Sequence, residues 1–461
     1  MPKLLGPAIL SIFLIGIGGC KTAPERRVDD AGARIPSHWS ATGESGQPPP
    51  EHWVEAFGNP DLSALVHSAL ADNYDLKAAA ARVDAAIAQA RIDGSALWPQ
   101  IFFMPSYQNV QFREAGFGPV ALSAFQAMFS LNWELDVWGR IRDLKQAAVR
   151  EAGAEAADFH AARLSLAARI AQSYFELTEA KLQSEVAAQS VKDRSTIADL
   201  VRGRFARGIT NALDLRLTLT DLATAEAELS EARNQTQIVT RRLEVLLGRY
   251  PQGLLTEASV PSALPEPPAD IPAGLPSELL ERRPDLIAAF NRLLAADSRV
   301  ESVRKLLLPR IVLTAFGGTR STALTDLIDP RALAWNMVIG LLQPLFTGGL
   351  ITGQIHLNKA RTEEALNLYK STALNAFREV EQVLAADEWL REQEKALRKA
   401  VEQTEASRRL AVYSYRLGLI EILTLLDSYR STLSAQSAHL SVKRQLLTNL
   451  INLYLALGGG V

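Results

Sequence analysis

The chain carries one programme twice, and this repetition limits what it can fold into more than any other feature. Residues 73–101 align without gaps on 283–311, pairing Asp75 with Asp285, Leu76 with Leu286, Arg82 with Arg292, Ala85 with Ala295 and Pro99 with Pro309. The same shift of 210 residues (285 − 75) places Leu131 on Leu341, Gly139 on Gly349, Phe205 on Tyr415, Gly208 on Gly418 and Leu247-Gly248 on Leu457-Gly458. A constant offset over that distance marks a tandem duplication, so the fold must be assembled from two copies of one unit.

Each copy alternates helix and strand signals. Asn59-Pro60-Asp61 is a cap followed by proline, and predicts a helix running through Leu62, Leu65, Leu70 and Leu76 to about Leu97, stopped by Pro99. Ile101, Phe103, Pro105 and Tyr107 then alternate with more varied neighbours, although a proline sits awkwardly in a sheet interior. After a loop from Glu114 to Val120, Phe125, Ala127, Phe129, Leu131, Trp133 and Leu135 take every second place, with mostly polar side chains between. Period-two alternation gives a strand one apolar and one polar face. The strands at about 100–113 and 121–137 exceed the usual about 5–6 residues and suit the roughly 9–11 that cross a bilayer at a tilt. They recur at about 310–319 and 334–346, joined by a loop from Arg320 to Arg331. Phe125, Phe129, Leu131, Trp133, Trp335, Met337, Ile339 and Leu341 are therefore expected to face lipid, and Gln126, Ser130, Asn132 and Glu134 a lumen.

From Gly139 to Arg207 no proline interrupts the chain, and a continuous helix of that span is roughly 100 Å long. Phe205 to Thr210 makes a turn, after which Leu222, Leu229, Thr236 and Leu243, with Ala225, Ala232, Val239 and Leu246, form a heptad. Two shorter helices, Asp61 to Leu97 and Leu213 to Leu247, stacked end to end, would match the long one. The domain limits that follow are 61–248 for the first copy, 249–283 for a linker that Pro284 closes, and 284–461 for the second copy. Eight prolines lie between Pro251 and Pro284 inclusive.

The N-terminus carries a different message. Lys3, the apolar run Leu4 to Gly19 and the small residues before Cys20 describe a secretory signal over 1–19, too short for a confident membrane helix. Cys20 is the only cysteine, so no intrachain disulfide can form. The segment resembles a bacterial lipoprotein signal, which implies that Cys20 bears lipid. Residues 20–60, with Pro48-Pro49-Pro50, read as an extended leader. A net charge of −2 without basic runs excludes nucleic acid as the expected partner.

Four membrane strands cannot close a barrel, because the smallest have about eight and an open edge in lipid is prohibitive. A dimer pooling eight strands or a trimer pooling twelve would each satisfy that constraint.

The strings Leu76 to Arg82, Trp133 to Arg140, Leu275 to Leu286, Gln343-Pro344-Leu345-Phe346 with Gly348-Gly349, and Ala456 to Gly460 resemble the outer membrane efflux protein family, as does the lipoprotein signal ending at Cys20. The likeness covers essentially the full chain and is to the trimeric channel-tunnels of its lipoprotein branch. It implies a mainly α, tandem-duplicated fold with four strands per chain, a twelve-stranded barrel in a homotrimer and a periplasmic α-barrel. It also implies a periplasmic adaptor docking on the turns Gly208-Ile209-Thr210 and Gly418-Leu419-Ile420, an inner membrane pump of the RND type, and outer membrane localisation.

No catalytic constellation is legible, and no enzyme activity or cofactor is expected beyond the lipid on Cys20. His38, His52, His67, His160, His356 and His439 show no metal-like pairing. Glu134 and Asp136 read as barrel lining, and Gly348 to Gly353 lacks the Lys-Ser/Thr of a phosphate loop. Asp427 and Arg430 are three apart on one helix face, which by spacing alone describes a surface ion pair of under about 1 kcal/mol. The family resemblance implies instead that Tyr415, Leu423, Asp427 and Arg430 form a periplasmic gate. Competing functions are a type I secretion channel and a lipid-anchored coiled-coil scaffold without a pore.

Overall fold

The computed structural model describes residues 26, 36–41, 52–113, 119–254, 263–267 and 274–460. Cys20 and the signal segment lie outside the described residues. The elements of the first copy are α1 (Pro60–Asp72), α2 (Tyr74–Ser95), β1 (Gln100–Arg113), β2 (Pro119–Leu135), α3 (Arg140–Ala206) and α4 (Ala212–Leu246). Short helical turns at Pro276–Glu278 and Leu279–Arg282 precede α5 (Pro284–Arg304), β3 (Arg310–Ser321), β4 (Leu333–Leu342), α6 (Leu350–Arg416) and α7 (Ile422–Ala456). In the long helices the repeat is carried into the backbone residue for residue. Helices α3 and α6 are each 67 residues long and α4 and α7 each 35, with bounds displaced by the same 210 positions.

The described residues fall into two compact units. One comprises Ala81–Ala157 and Ala288–Ser371 with Arg26. It holds an antiparallel sheet in the order β1-β2-β3-β4. The other comprises the described parts of Ala33–Ala80, Asp158–Ile287 and Thr372–Val461. Its core gathers Leu62, Val66, Ile170, Tyr174, Phe175, Leu243, Leu447, Leu450 and Tyr454, all buried.

The predicted helix from Asp61 to Leu97 is two helices. Asn73 adopts an extended backbone (φ −61°, ψ 127°), because its Oδ1 accepts the Leu76 N–H at 3.0 Å and starts a new helix, while its Nδ2 donates to the Leu246 carbonyl at 2.9 Å. In the second copy Arg283, the residue 210 positions on, donates to the Ala456 carbonyl at 2.9 Å, so one contact is made by an amide in one repeat and a guanidinium in the other. Gly248 and Gly458 follow α4 and α7 with φ of 72° and 68°. A Cβ on them would lie 2.8 Å from the Asp72 carbonyl oxygen and 3.0 Å from that of Arg282. Only glycine permits both the left-handed backbone and the approach, and this is how the two shorter helices of each copy meet end to end.

The leader is not simply extended. Trp39 and Trp53 are fully buried. The Trp39 indole donates to the Gly274 carbonyl at 3.0 Å and lies 6.2 Å from the Phe377 ring, and the Ser40 and Ala41 amides donate to the Glu381 carboxylate. Trp53 stacks on Tyr454 at 5.6 Å. Pro- and Gly-rich composition hid two aromatic anchors, each burying on the order of 150–250 Å². The linker is likewise interrupted by the turns at Pro276–Arg282, where Pro276, Leu279 and Leu280 are buried.

Strand ends also shift. β2 stops at Leu135 instead of 137, because Asp136 turns away to cap α3. β4 spans Leu333–Leu342 and stops short of 346, since Pro344 has no N–H to add to a ladder. β3 extends to Ser321, and the loop after it holds turns of helix at Leu324–Ile328 and Pro330–Ala332.

Candidate functional site

The sheet sorts its side chains by face. Ile101 pairs with Leu131, Phe103 with Phe129 and Tyr107 with Phe125. Leu131 pairs onward with Ala315 and Trp133 with Leu313, and Leu313 with Ile339, Ala315 with Met337 and Gly317 with Trp335. Directly opposed residues share a face, so these form one apolar surface across all four strands. Phe103 and Phe129 lie 4.9 Å apart and Tyr107 and Phe125 4.6 Å. Phe129, Trp335, Met337, Ile339 and Leu341 are more than half exposed, while Phe125, Leu131 and Trp133 are half-buried against their neighbours. Ser130, Asn132 and Gln126 occupy the opposite face. Among the described residues no helix is long and apolar enough to cross a membrane.

Glu134 and Asp136 are tied to the start of α3. Glu134 forms a bidentate pair with Arg140, both contacts at 3.0 Å. The Asp136 carboxylate accepts the Ile141 and Arg142 amides at 2.9 Å each, satisfying N–H groups that the start of α3 leaves free. The Trp138 indole donates to the Pro309 carbonyl at 2.7 Å and Ser302 Oγ to the Arg140 carbonyl at 2.9 Å. Lys305 Nζ meets Asp143 at 2.5 Å, both side chains buried. Burial lifts the Asp143 carboxyl above its ordinary pKa, with Lys305 pulling the other way. The first strand-to-helix joint is thus a locked polar assembly, invisible from the string Trp133 to Arg140 because Lys305 lies 162 residues away.

The gate candidates sit in the second unit. Tyr415 is buried with Ile197, Val201, Ile422, Leu425, Leu426 and Tyr429. The Arg204 guanidinium lies 5.0 Å from its ring centroid, and burial raises the Tyr415 phenol pKa against the opposing charge of Arg204. Leu423 is 55% exposed and Asp427 is exposed. The Asp427–Arg430 pair expected from spacing is absent among the described residues. Arg430 instead donates twice to Asp221 Oδ1, at 3.0 and 2.8 Å. The reason is a stronger field, because Asp221 is buried and a buried carboxylate is screened less than one in water. Asp221 also faces Arg194, 3.3 Å from Nε, with both of those side chains buried. Nothing near Arg430 in sequence points to Asp221, which lies 209 residues away, and sequence reasoning missed both Asp221 and Arg194.

The turns themselves have equal geometry. Gly208 and Gly418 take φ of 70° and 76°, and Ile209 and Leu419 donate to the Arg204 and Ser414 carbonyls, each at 2.9 Å. Ile209 and Leu419 are exposed. Thr210 and Ile420 turn inward, Thr210 donating to Asp214 at 2.5 Å and Ile420 packing on the Tyr415 cluster. Only part of each proposed docking turn therefore faces solvent. Among the described residues no group of three or more His, Cys, Asp and Glu could hold a metal.

This duplicated, mainly α architecture with a four-stranded membrane-type sheet is that of the channel-tunnels, and the chain belongs to the outer membrane efflux protein family. The family profile matches twice, over residues 65–249 and 275–459, displaced by the internal 210-residue shift (275 − 65). Over 439 residues the chain is 32% identical to the pyoverdine export outer membrane protein OpmQ of Pseudomonas putida, covering 93% of each. Over 456 residues it is 31% identical to the outer membrane protein OprJ of Pseudomonas aeruginosa, covering 97% of this chain and 95% of that one. Among solved structures, the outer-membrane channel OprN superposes with a TM-score of 0.88 at 26% identity, over 95% of this chain and 99% of the other.

Proposed function

We propose that the chain is the outer membrane channel of a tripartite efflux system, a passive conduit for small amphiphilic compounds. The observation that carries this reading is the four-stranded sheet with a continuous apolar face and two unpaired edges, which a membrane tolerates only in a closed barrel. Relatives named as efflux pump outer membrane proteins support it. In this reading three copies pool their strands into a twelve-stranded barrel, and lipid on Cys20 anchors the leader to the outer membrane. An adaptor docks on the exposed Ile209 and Leu419, and an RND-type inner membrane pump drives transport. Leu423, Asp427 and Arg430 narrow the periplasmic end until the adaptor spreads it.

Purified protein in liposomes is expected to conduct ions, and deletion in the native bacterium to raise sensitivity to amphiphilic toxins. A protein that inserts no conductance is a scaffold, and one whose deletion stops only polypeptide export serves secretion. Cys20→Ser is expected to yield product without acyl chains by mass spectrometry. Acylated Cys20→Ser protein would refute the anchor.

A further inference from the structure

The internal repeat fixes how one copy of the chain pairs with the next. Resting on the trimer reading above, we infer that β4 of one copy pairs antiparallel with β1 of a second copy in the register in which the two residue numbers sum to 446, and that an apolar patch beside β1 covers the end of β4.

The argument starts from the junction between the two repeats. β2 ends the first copy of the programme and β3 begins the second, and they pair antiparallel from Phe125 with Ser321 to Leu135 with Ile311, every pair summing to 446. The repeat carries β2 onto β4 and β1 onto β3. Adding 210 to the β2 member and subtracting it from the β3 member leaves the sum unchanged. Over the residues that are strand in both, the template therefore joins 335–342 of one copy to 104–111 of the next, and puts Ile339 opposite Tyr107 and Asn336 opposite Val110. Parity is preserved, so the apolar face runs on unbroken from Trp335, Met337 and Ile339 to Tyr107 of the neighbouring copy.

Symmetry of local contacts supports using the junction as a template. The Trp133 indole donates to the Leu97 carbonyl at 2.9 Å, and Gln343, its counterpart, donates to the Leu307 carbonyl at 3.0 Å. The strand-to-helix joints occupy the same place in each repeat but differ in cover. The first is closed over by second-repeat residues Ser302, Lys305 and Pro309. At the second, Leu345 and Phe346 are 93% and 92% exposed. The positions 210 before Ser302, Lys305 and Pro309 are Ile92, Ser95 and Pro99; Ile92 is 62% exposed, and Trp98, the neighbour of Pro99, is 72% exposed. Leu350, standing where Arg140 stands in the first joint, is 61% exposed. Five large apolar side chains thus lie bare at the two places the repeat brings together. The joint that is polar and locked within one chain is apolar between chains, as suits a contact made only on assembly.

The test is disulfide mapping in the full-length protein, with the parent carrying Cys20 alone as background. Val110→Cys with Asn336→Cys (sum 446) is expected to oxidise into covalent dimers and trimers on denaturing gels. Val110→Cys with Ala334→Cys (sum 444) and with Val338→Cys (sum 448) are expected to stay monomeric, because diagonal neighbours lie about 7–8 Å apart, beyond disulfide reach. Trimers, by native mass in detergent, that crosslink only in a shifted pair, or in none, overturn this register and leave the trimer standing. A monomeric mass overturns the trimer reading with it. Leu345→Asp with Phe346→Asp, outside the strands, is expected to shift trimers towards monomers, and trimers of undiminished heat resistance would overturn the patch.

Discussion

Replacing Arg430 with alanine is expected to raise the resting conductance of the channel in planar bilayers and to leave its heat denaturation unchanged, whereas Asp221→Ala should lower stability sharply. The difference follows from exposure. The Arg430 side chain is 62% exposed, so its tie to Asp221 is partly screened and contributes under about 1 kcal/mol. Asp221 and Arg194 are at 1% and 3%. Removing the carboxylate leaves a buried guanidinium without its counter-charge, which costs about 3–5 kcal/mol. Glu228, 3.8 Å from Arg194 and 44% exposed, recovers only a part. Because Asp221 holds two cations, Arg430 can detach without stranding a buried charge, and that suits a gate. Arg430→Ala channels that stay as closed as the parent would sink the gate assignment. An Asp221→Ala protein that melts with the parent would show that the Arg194 pair holds nothing together. Asp427 has no ion-pair partner among the described residues of its own chain. Adding Asp427→Ala should therefore raise conductance further only where that carboxylate meets a neighbouring copy.

Elements whose information is local were legible in the sequence. Alternation through Phe125, Phe129 and Trp133 marked the strand, the absence of proline after Gly139 marked the 67-residue helix, and the shift of 210 set the second copy without any knowledge of contacts. What stayed hidden depends on which partner a side chain takes, near or far along the chain. Glu134 and Asp136 look like any acidic pair on a polar face, and their roles as ion-pair partner and helix cap appear only once the start of α3 is placed beside them. Arg430 had a carboxylate three residues away and uses another one 209 residues away, because burial outweighs proximity in sequence when charges compete. Trp39 and Trp53 lie in a stretch whose composition argued for a spacer, yet both side chains are buried against residues more than 200 positions away. The break at Asn73 is local in part, since its Oδ1 caps the Leu76 N–H, and distant in part, since its Nδ2 reaches the Leu246 carbonyl.

Lys305→Met should destabilise the protein by about 3–5 kcal/mol at neutral pH, since it removes one partner of a buried pair and leaves the Asp143 carboxylate desolvated beside methylene groups. The pH dependence has a definite sign. Burial already raises the Asp143 pKa above 3.8 in the folded protein, with Lys305 the main force lowering it. A carboxyl raised on folding binds its proton more tightly in the native state, so its contribution is fully present below 3.8 and is lost as pH rises through the folded value. Without Lys305 that value rises further. The deficit of Lys305→Met relative to the parent is therefore expected to be largest near pH 7 and to shrink as the medium is acidified. Adding Asp143→Leu removes the stranded charge and should restore most of the loss at every pH, because a well-packed apolar pair commonly replaces a buried ion pair at little cost. Denaturation temperatures of the parent, single and double variants, followed by circular dichroism near pH 5 and pH 7, test each step. A deficit that grows on acidification, or a double variant no better than Lys305→Met, would mean that the joint is held by the Asp136 cap and the Trp138 contact, with the buried pair incidental.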